Sequence, residues 1–189
     1  MVIRFWWTPG TEATLKELSN HNIQAMNPAH PNKSFMQAAI IKAKEAAANG
    51  DYAIGAVIVH NDQIISSATN ATKTKEDPTC HAEITAISEA AKKLGIRHLR
   101  GCVLYTTHEP CPMCTSAAIW AMLDGIVWGA PMEAMINHAK NNENKRYLWR
   151  TIKIKASEIV DRAPNSPFII GNFMEDECVQ LFYSVPNPF

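Results

Sequence analysis

The sequence predicts an α/β three-layer sandwich, a central mixed sheet of about five strands with helices on both faces. Three observations point there. Short β-rich runs alternate with helical apolar stripes from residue 34 onward. Two of those runs are split by the turn pair Asn61-Asp62, which reads as an antiparallel hairpin. A chain of 189 residues with 47% apolar and 19% charged residues has the material for one sizeable core.

The elements follow in order. Residues 1–33, with Pro9, Gly10, Pro28 and Pro31, read as an irregular N-terminal extension, and 34–189 as one domain. Ser34 is placed to cap a helix whose apolar positions recur until Asn49-Gly50 stops them. Runs 53–60 and 63–69 form the hairpin. Asp77-Pro78-Thr79 is a turn signal ahead of the stripe Ala82, Ala86, Ile87, Ala90 and Leu94, which ends at Gly95. Residues 103–106 read as a strand, 111–122 as a helix and 126–128 as the next strand. Residues 152–154 are expected to add an edge strand, and 175–183 has helical spacing again.

Composition excludes several function classes. Lys plus Arg equal Asp plus Glu at 18 each, so the formal charge is zero and a large polyanionic partner is disfavoured. No apolar run approaches the roughly 20 residues of a membrane-spanning helix, and Met1 to Trp7 lacks the pattern of a signal peptide. A cytoplasmic protein is the expectation. Five cysteines, an odd number with one Cys-x-x-Cys pair, favour metal binding over a disulfide framework.

The chemistry concentrates in two segments. His81-Ala82-Glu83 and Pro110-Cys111-Pro112-Met113-Cys114 supply three metal ligands and one carboxylate, each at an expected helix start. Cys111 and Cys114, three apart, share one helix face at the positive end of the dipole, which favours thiolates. If strand 103–106 lies beside the hairpin, both helix starts meet at one sheet edge. Three protein ligands leave the fourth tetrahedral position of a zinc ion for water, the mark of a catalytic site. Glu83 is then placed to carry protons. A closed structural site would need His108 as fourth ligand and would leave Glu83 without a purpose, and a redox Cys-x-x-Cys would not explain the upstream His-Ala-Glu.

From about Ser34 to Gly129 the chain resembles the cytidine deaminase superfamily, whose signature is His-x-Glu followed by Pro-Cys-x-x-Cys. The stretches from Asp77 to Ile84 and from Leu104 to Cys114 look closest to the branch holding bacterial guanine deaminases and tRNA adenosine deaminases. Cys80 stands where that branch usually has Ala. The resemblance implies a cytidine deaminase-like fold, one zinc per subunit on His81, Cys111 and Cys114, Glu83 as proton carrier, and a homodimer. It also implies that Asn70 hydrogen-bonds the substrate base and that the backbone near Ala82 and Cys111 binds a ring carbonyl. Free-guanine enzymes use an acid after the strand that here ends in Val127-Trp128-Gly129-Ala130. The equivalent position holds Ala134, so Glu133 beside it is the candidate.

The expected reaction is hydrolytic deamination of a free nucleobase or nucleoside, guanine to xanthine and ammonia foremost. The alternatives are tRNA adenosine-to-inosine deamination, a free cytosine or triazine substrate, and a non-catalytic zinc-binding partner subunit, against which Glu83 argues. Lys140, Lys145, Arg146, Arg150, Lys153 and Lys155 form one local basic stretch, where Tyr147 and Trp149 could stack on the bases of a nucleic acid, although a solvated loop and edge strand is the favoured reading. Cys102 and Cys178 read as small core residues. The resemblance to guanine deaminases, in some of which the C-terminal tail covers the neighbouring subunit's site, makes the aromatic, proline-stiffened tail from Ser184 to Phe189 a candidate lid.

Overall fold

A computed structural model describes residues 30–141 and 151–183. The element order is α1 Lys33–Ala48, β1 Gly55–His60, β2 Gln63–Thr69, α2 Ala82–Leu94, β3 Cys102–His108, α3 Pro112–Trp120, β4 Gly125–Ala130, α4 Met132–Asn141, α5 Ala156–Val160, β5 Phe168–Ile170 and α6 Glu175–Gln180, then a 3-10 turn Leu181–Tyr183. The five strands form one mixed sheet in the order β2-β1-β3-β4-β5. β1 is antiparallel to both β2 and β3, whereas β3, β4 and β5 run parallel.

Alternation along the strands makes two cores. Val57, Val59, Val103, Tyr105 and Val127 face α1 and the C-terminal turn, with Phe35, Met36, Leu181 and Phe182 packed on them. Ala56, Ile58, Leu104, Ile126 and Trp128 face the other way, against Ala82, Ala86 and Ala90 of α2 and Ala118 of α3. Helices therefore cover both faces, as the period-2 and period-3.6 patterns require. The small residues of α1 and α2 let the helix backbones lie close to the sheet. Gly55 shows how close: a Cβ there would sit 2.2 Å from the Ala39 carbonyl oxygen and 2.4 Å from the Ala43 nitrogen.

Several local expectations hold. Asn61 and Asp62 both take positive φ, 49° and 57°, as a two-residue hairpin turn of the primed type demands. Gly95 closes α2 in the left-handed conformation, φ 68°. Two expectations are corrected. The cap of α1 is Asn32, not Ser34: the Asn32 side chain accepts from the Ser34 N–H at 2.9 Å, so the helix opens two residues earlier. The edge strand is 168–170, not 152–154. Ile152 and Ile154 are 62% and 43% exposed, whereas Phe168 donates its N–H to the Asp124 carbonyl at 2.9 Å and begins the pairing with β4. Of the 1–33 extension only 30–33 are described.

Candidate metal centre and catalytic pocket

The geometry of the sheet brings the two sequence motifs together. β3 lies between β1 and β4, and the chain leaving it reaches Cys111 beside the start of α2. His81 and Cys111 occupy the N-cap positions of α2 and α3, both with extended backbone and neither capping its helix with its side chain. Pro112 follows at the first helical position, where its missing N–H costs nothing. Both side chains are thereby left for a ligand at two helix N-termini.

His81 Nδ1 lies 3.8 Å from Cys111 Sγ and 3.5 Å from Cys114 Sγ, and the two sulfurs are 3.6 Å apart. Tetrahedral zinc with Zn–S near 2.3 Å and Zn–N near 2.05 Å needs S–S of about 3.8 Å and N–S of about 3.6 Å. These three residues therefore fit a zinc ion, and they are the group among the described residues that can hold a metal. The protonation pattern agrees. Without an ion, the hydrogen bond from the Cys114 thiol and the neighbouring His81 bring the Cys111 pKa down to about 4 despite burial. The partner thiol Cys114 is raised because it donates that bond and is buried, and His81 is raised chiefly by its contact with Cys111. One thiolate is ready at neutral pH for the cation.

Glu83 follows in the first turn of α2 and is 3% exposed. Its Oε2 has no hydrogen-bond partner among the described residues. Burial pushes its carboxyl pKa up. A buried carboxylate oxygen left open beside three metal ligands is what a proton-carrying group next to an attacking water requires.

The centre opens into a cavity of about 250 Å³ lined by Tyr52, Asn70, Thr72, His108, Glu109 and Met135 among others, with His81, Glu83 and Cys111 on its wall. That is room for one planar base. Asn70, 2% exposed, is in the cavity wall. Ala82 is buried with its side chain off the wall, so only its N–H, one of the first-turn amides that a helix leaves over, is available to a ligand. Glu133 is not on the wall: it is 51% exposed and paired with Lys155 at 2.6 Å. Lys153 is exposed, and residues 142–150, with Lys145, Arg146, Tyr147, Trp149 and Arg150, lie outside the described residues, as does the tail 184–189. Cys102 and Cys178 are fully buried. Cys80 is half-buried, with its thiol 3.3 Å from the Asp77 carboxylate.

Two wall or support residues, Glu109 and Asp51, went unassigned in the sequence, whereas His108, weighed there as a fourth ligand and read as a residue of the pocket wall or surface, lines the cavity. Glu109 accepts the Met132 N–H at 3.0 Å and the Ala156 N–H at 3.0 Å, tying the starts of α4 and α5 to the metal loop. His108 is buried, which lowers its pKa to about 3, and the Phe182 ring packs edge-on against it at 4.5 Å. Asp51, fully buried before β1, is bonded to Asn70. Only Glu109 carried a signal, as an acid two residues before a ligand.

Comparison with known proteins returns the same motifs. The model of the cytidine and deoxycytidylate deaminase zinc-binding region matches residues 29–130, more than half of the chain. A tRNA-specific adenosine deaminase of Aquifex aeolicus is 41% identical over 96 residues, 51% of this chain and 64% of that protein. A guanine deaminase of Bacillus subtilis is 42% identical over 102 residues, 52% of this chain and 64% of that protein. Less than two thirds of either relative is therefore matched. A solved structure from work on A-to-I editing by tRNA:A34 deaminases at the wobble position of transfer RNA superposes with a TM-score of 0.66 at 26% identity, covering 79% of this chain and 99% of that one.

Proposed function

We propose, for a chain that belongs to the cytidine and deoxycytidylate deaminase zinc-binding family, the hydrolytic release of ammonia from the exocyclic amine of a single purine base. The observation that carries the reading is the buried Glu83 with an unpartnered Oε2 beside His81, Cys111 and Cys114. Zinc held by those three residues supplies the Lewis acidity that brings the pKa of a water towards about 7. Glu83 takes a proton from the attacking water, delivers it to the ring nitrogen next to the amine-bearing carbon, and carries the second proton to the departing ammonia. The cavity has room for one planar base beside these residues.

The substrate that the relatives favour is adenosine in tRNA, the substrate class named for the Aquifex protein and for the solved wobble-position enzymes. Free guanine is the second reading. It is supported by the B. subtilis relative and by one observation here: both N–H groups of Asn70 are spent inside the protein, which leaves its oxygen for a ring N–H that guanine has and adenosine lacks. We further infer a cytoplasmic protein and a homodimer, the latter supported by Trp120 at the end of α3, which is 82% exposed and of a residue type enriched at protein interfaces. No described helix is long and apolar enough to cross a membrane. The deciding experiment measures ammonia from zinc-loaded protein on an anticodon stem-loop with a wobble adenosine and on guanine. A higher kcat/KM on the stem-loop is expected; a higher value on guanine installs the second reading, and no ammonia from any purine overturns both.

A further inference from the structure

Asp51 is 0% exposed, and three of its hydrogen-bond partners, Tyr52, Asn70 and Thr72, line the cavity. Its Oδ1 accepts from the Tyr52 N–H at 2.8 Å, from Asn70 Nδ2 at 2.7 Å and from the Thr72 hydroxyl at 3.3 Å. Its Oδ2 accepts from the backbone N–H of Lys73 at 2.9 Å and of Thr74 at 3.0 Å, and from the Thr74 hydroxyl at 3.2 Å. Asn70 Nδ2 spends its second N–H on Thr72 Oγ1 at 2.9 Å. Asp51, Asn70 and Thr72 thus close a circuit, and Tyr52, Asn70 and Thr72 all line the cavity.

An ionised carboxylate only accepts, so it can face the Asn70 nitrogen and not the Asn70 oxygen. Burial works against the charge, but the hydrogen bonds from Thr74, Asn70, Tyr52 and Lys73 outweigh it and hold the Asp51 carboxyl below the ordinary carboxylate range. Turning the Asn70 amide over would set two oxygens against each other at hydrogen-bond distance and take from Thr72 Oγ1 the donor it now receives. Oδ1 is therefore the atom that Asn70 can offer a ligand.

We propose that Asp51 is a positioning residue that locks the polarity of Asn70, so that the cavity selects a substrate carrying a hydrogen-bond donor at that point. This rests on the reading of the cavity as a purine site. The donor is either a ring N–H, as in guanine, or a ribose hydroxyl, as in an adenosine of RNA, whose base has only bare ring nitrogens besides the amine that leaves. A locked acceptor rejects a ring nitrogen with a lone pair and accepts one with a proton, so a residue that touches no substrate sets which tautomer or sugar is recognised.

Two measurements on the zinc-loaded full chain test it. The side-chain amide protons of Asn70, followed by ¹⁵N NMR, should exchange with water at least about tenfold more slowly than those of an exposed Asn, and Asp51→Asn should abolish that protection. Should Asp51→Asn not fold, Thr72→Val removes one acceptor and should release one of the two protons. Binding is then read on Glu83→Gln protein with two matched pairs of probes: guanine against 1-methylguanine, and an adenosine stem-loop against one with 2′-deoxyadenosine. One pair should differ by about tenfold or more, and adding Asp51→Asn should shrink that ratio to within about threefold while zinc is retained; the methyl group's bulk is common to both backgrounds and cancels. The pair that responds identifies the donor. Unprotected Asn70 protons, or ratios unchanged by Asp51→Asn, overturn the proposal. Protected protons released by Asp51→Asn in a protein that binds none of the four probes would instead uphold the locked amide and sink the purine reading.

Discussion

Replacing Glu83 by Gln removes a proton carrier, keeps the side-chain volume and leaves His81, Cys111 and Cys114 untouched. General acid–base groups contribute about 10²–10⁴ in rate, or about 3–5 kcal/mol of barrier. The structure puts Glu83→Gln at the upper end. The neighbouring wall acid, Glu109, has both oxygens occupied by the N–H groups of Met132 and Ala156 and cannot substitute, and Glu133 is off the wall, paired with Lys155. A loss of about 10⁴ in kcat with zinc content unchanged is the expected outcome. The same change should stabilise the metal-free protein. Burial raises the Glu83 pKa, so the unfolded chain loses this proton at a lower pH than the folded one, and stability is lost as pH rises from about 4.3 through the folded pKa. Gln carries no charge to bury. Metal-free Glu83→Gln should therefore melt higher than metal-free wild type at pH 8, with the gap closing near pH 4. Metal analysis, ammonia kinetics and calorimetry check this together. Activity within about tenfold of wild type, loss of zinc, or a lower melting temperature at pH 8 would refute the assignment.

Gly55→Ala drives a methyl into the backbone of α1, where the neighbouring atoms cannot turn aside; a loss of about 3 kcal/mol and a fall in Tm of roughly 6–12 °C should show in thermal unfolding. His108, held neutral by burial with a pKa near 3, takes up its proton only on unfolding between pH 6.5 and 3. Stability should thus fall by up to about 3 kcal/mol from pH 6.5 to pH 4, and His108→Gln should flatten that slope in denaturant titrations. Trp120→Ser removes an 82% exposed indole, and sedimentation should show a weakened dimer while a monomer that keeps its zinc retains its helical circular dichroism.

Much of the architecture was legible because local chemistry and global packing agree. Asn61-Asp62 could only be a tight turn, Gly95 could only end a helix, and a Cys-x-x-Cys at a helix start could only present both sulfurs on one face. The parts that escaped depend on pairings that no local pattern encodes. Ile152 and Ile154 alternate like a strand, yet β4 pairs with the three residues 168–170, too short a run to stand out behind Pro164 and Pro167. Glu133 sits at a helix start next to the expected position, but Lys155, 22 residues on, draws it outward. Asp51 follows Asn49-Gly50 and reads as a turn residue; its four partners beyond Tyr52 lie 19 to 23 residues away, in the loop after β2.

Two buried acids, Glu83 in the cavity wall and Asp51 bonded to the wall residues Asn70 and Thr72, show how environment divides roles between identical functional groups. Asp51 is saturated: six donors surround two oxygens, its pKa is lowered, and it is ionised at neutral pH. Such a group cannot move a proton, but it can hold neighbours in one orientation. Glu83 is starved: one oxygen is buried without a partner and its pKa is raised, so proton gain and loss are brought closer in energy. Such a group positions little and is free to shuttle. Exchanging these environments would exchange the functions, since a carboxylate with its lone pairs filled has no site for an incoming proton. The division also accounts for where the stability cost lies. Asp51 is satisfied by the fold itself, whereas Glu83 keeps one buried oxygen without a partner among the described residues, a demand that the proposed water and substrate would meet.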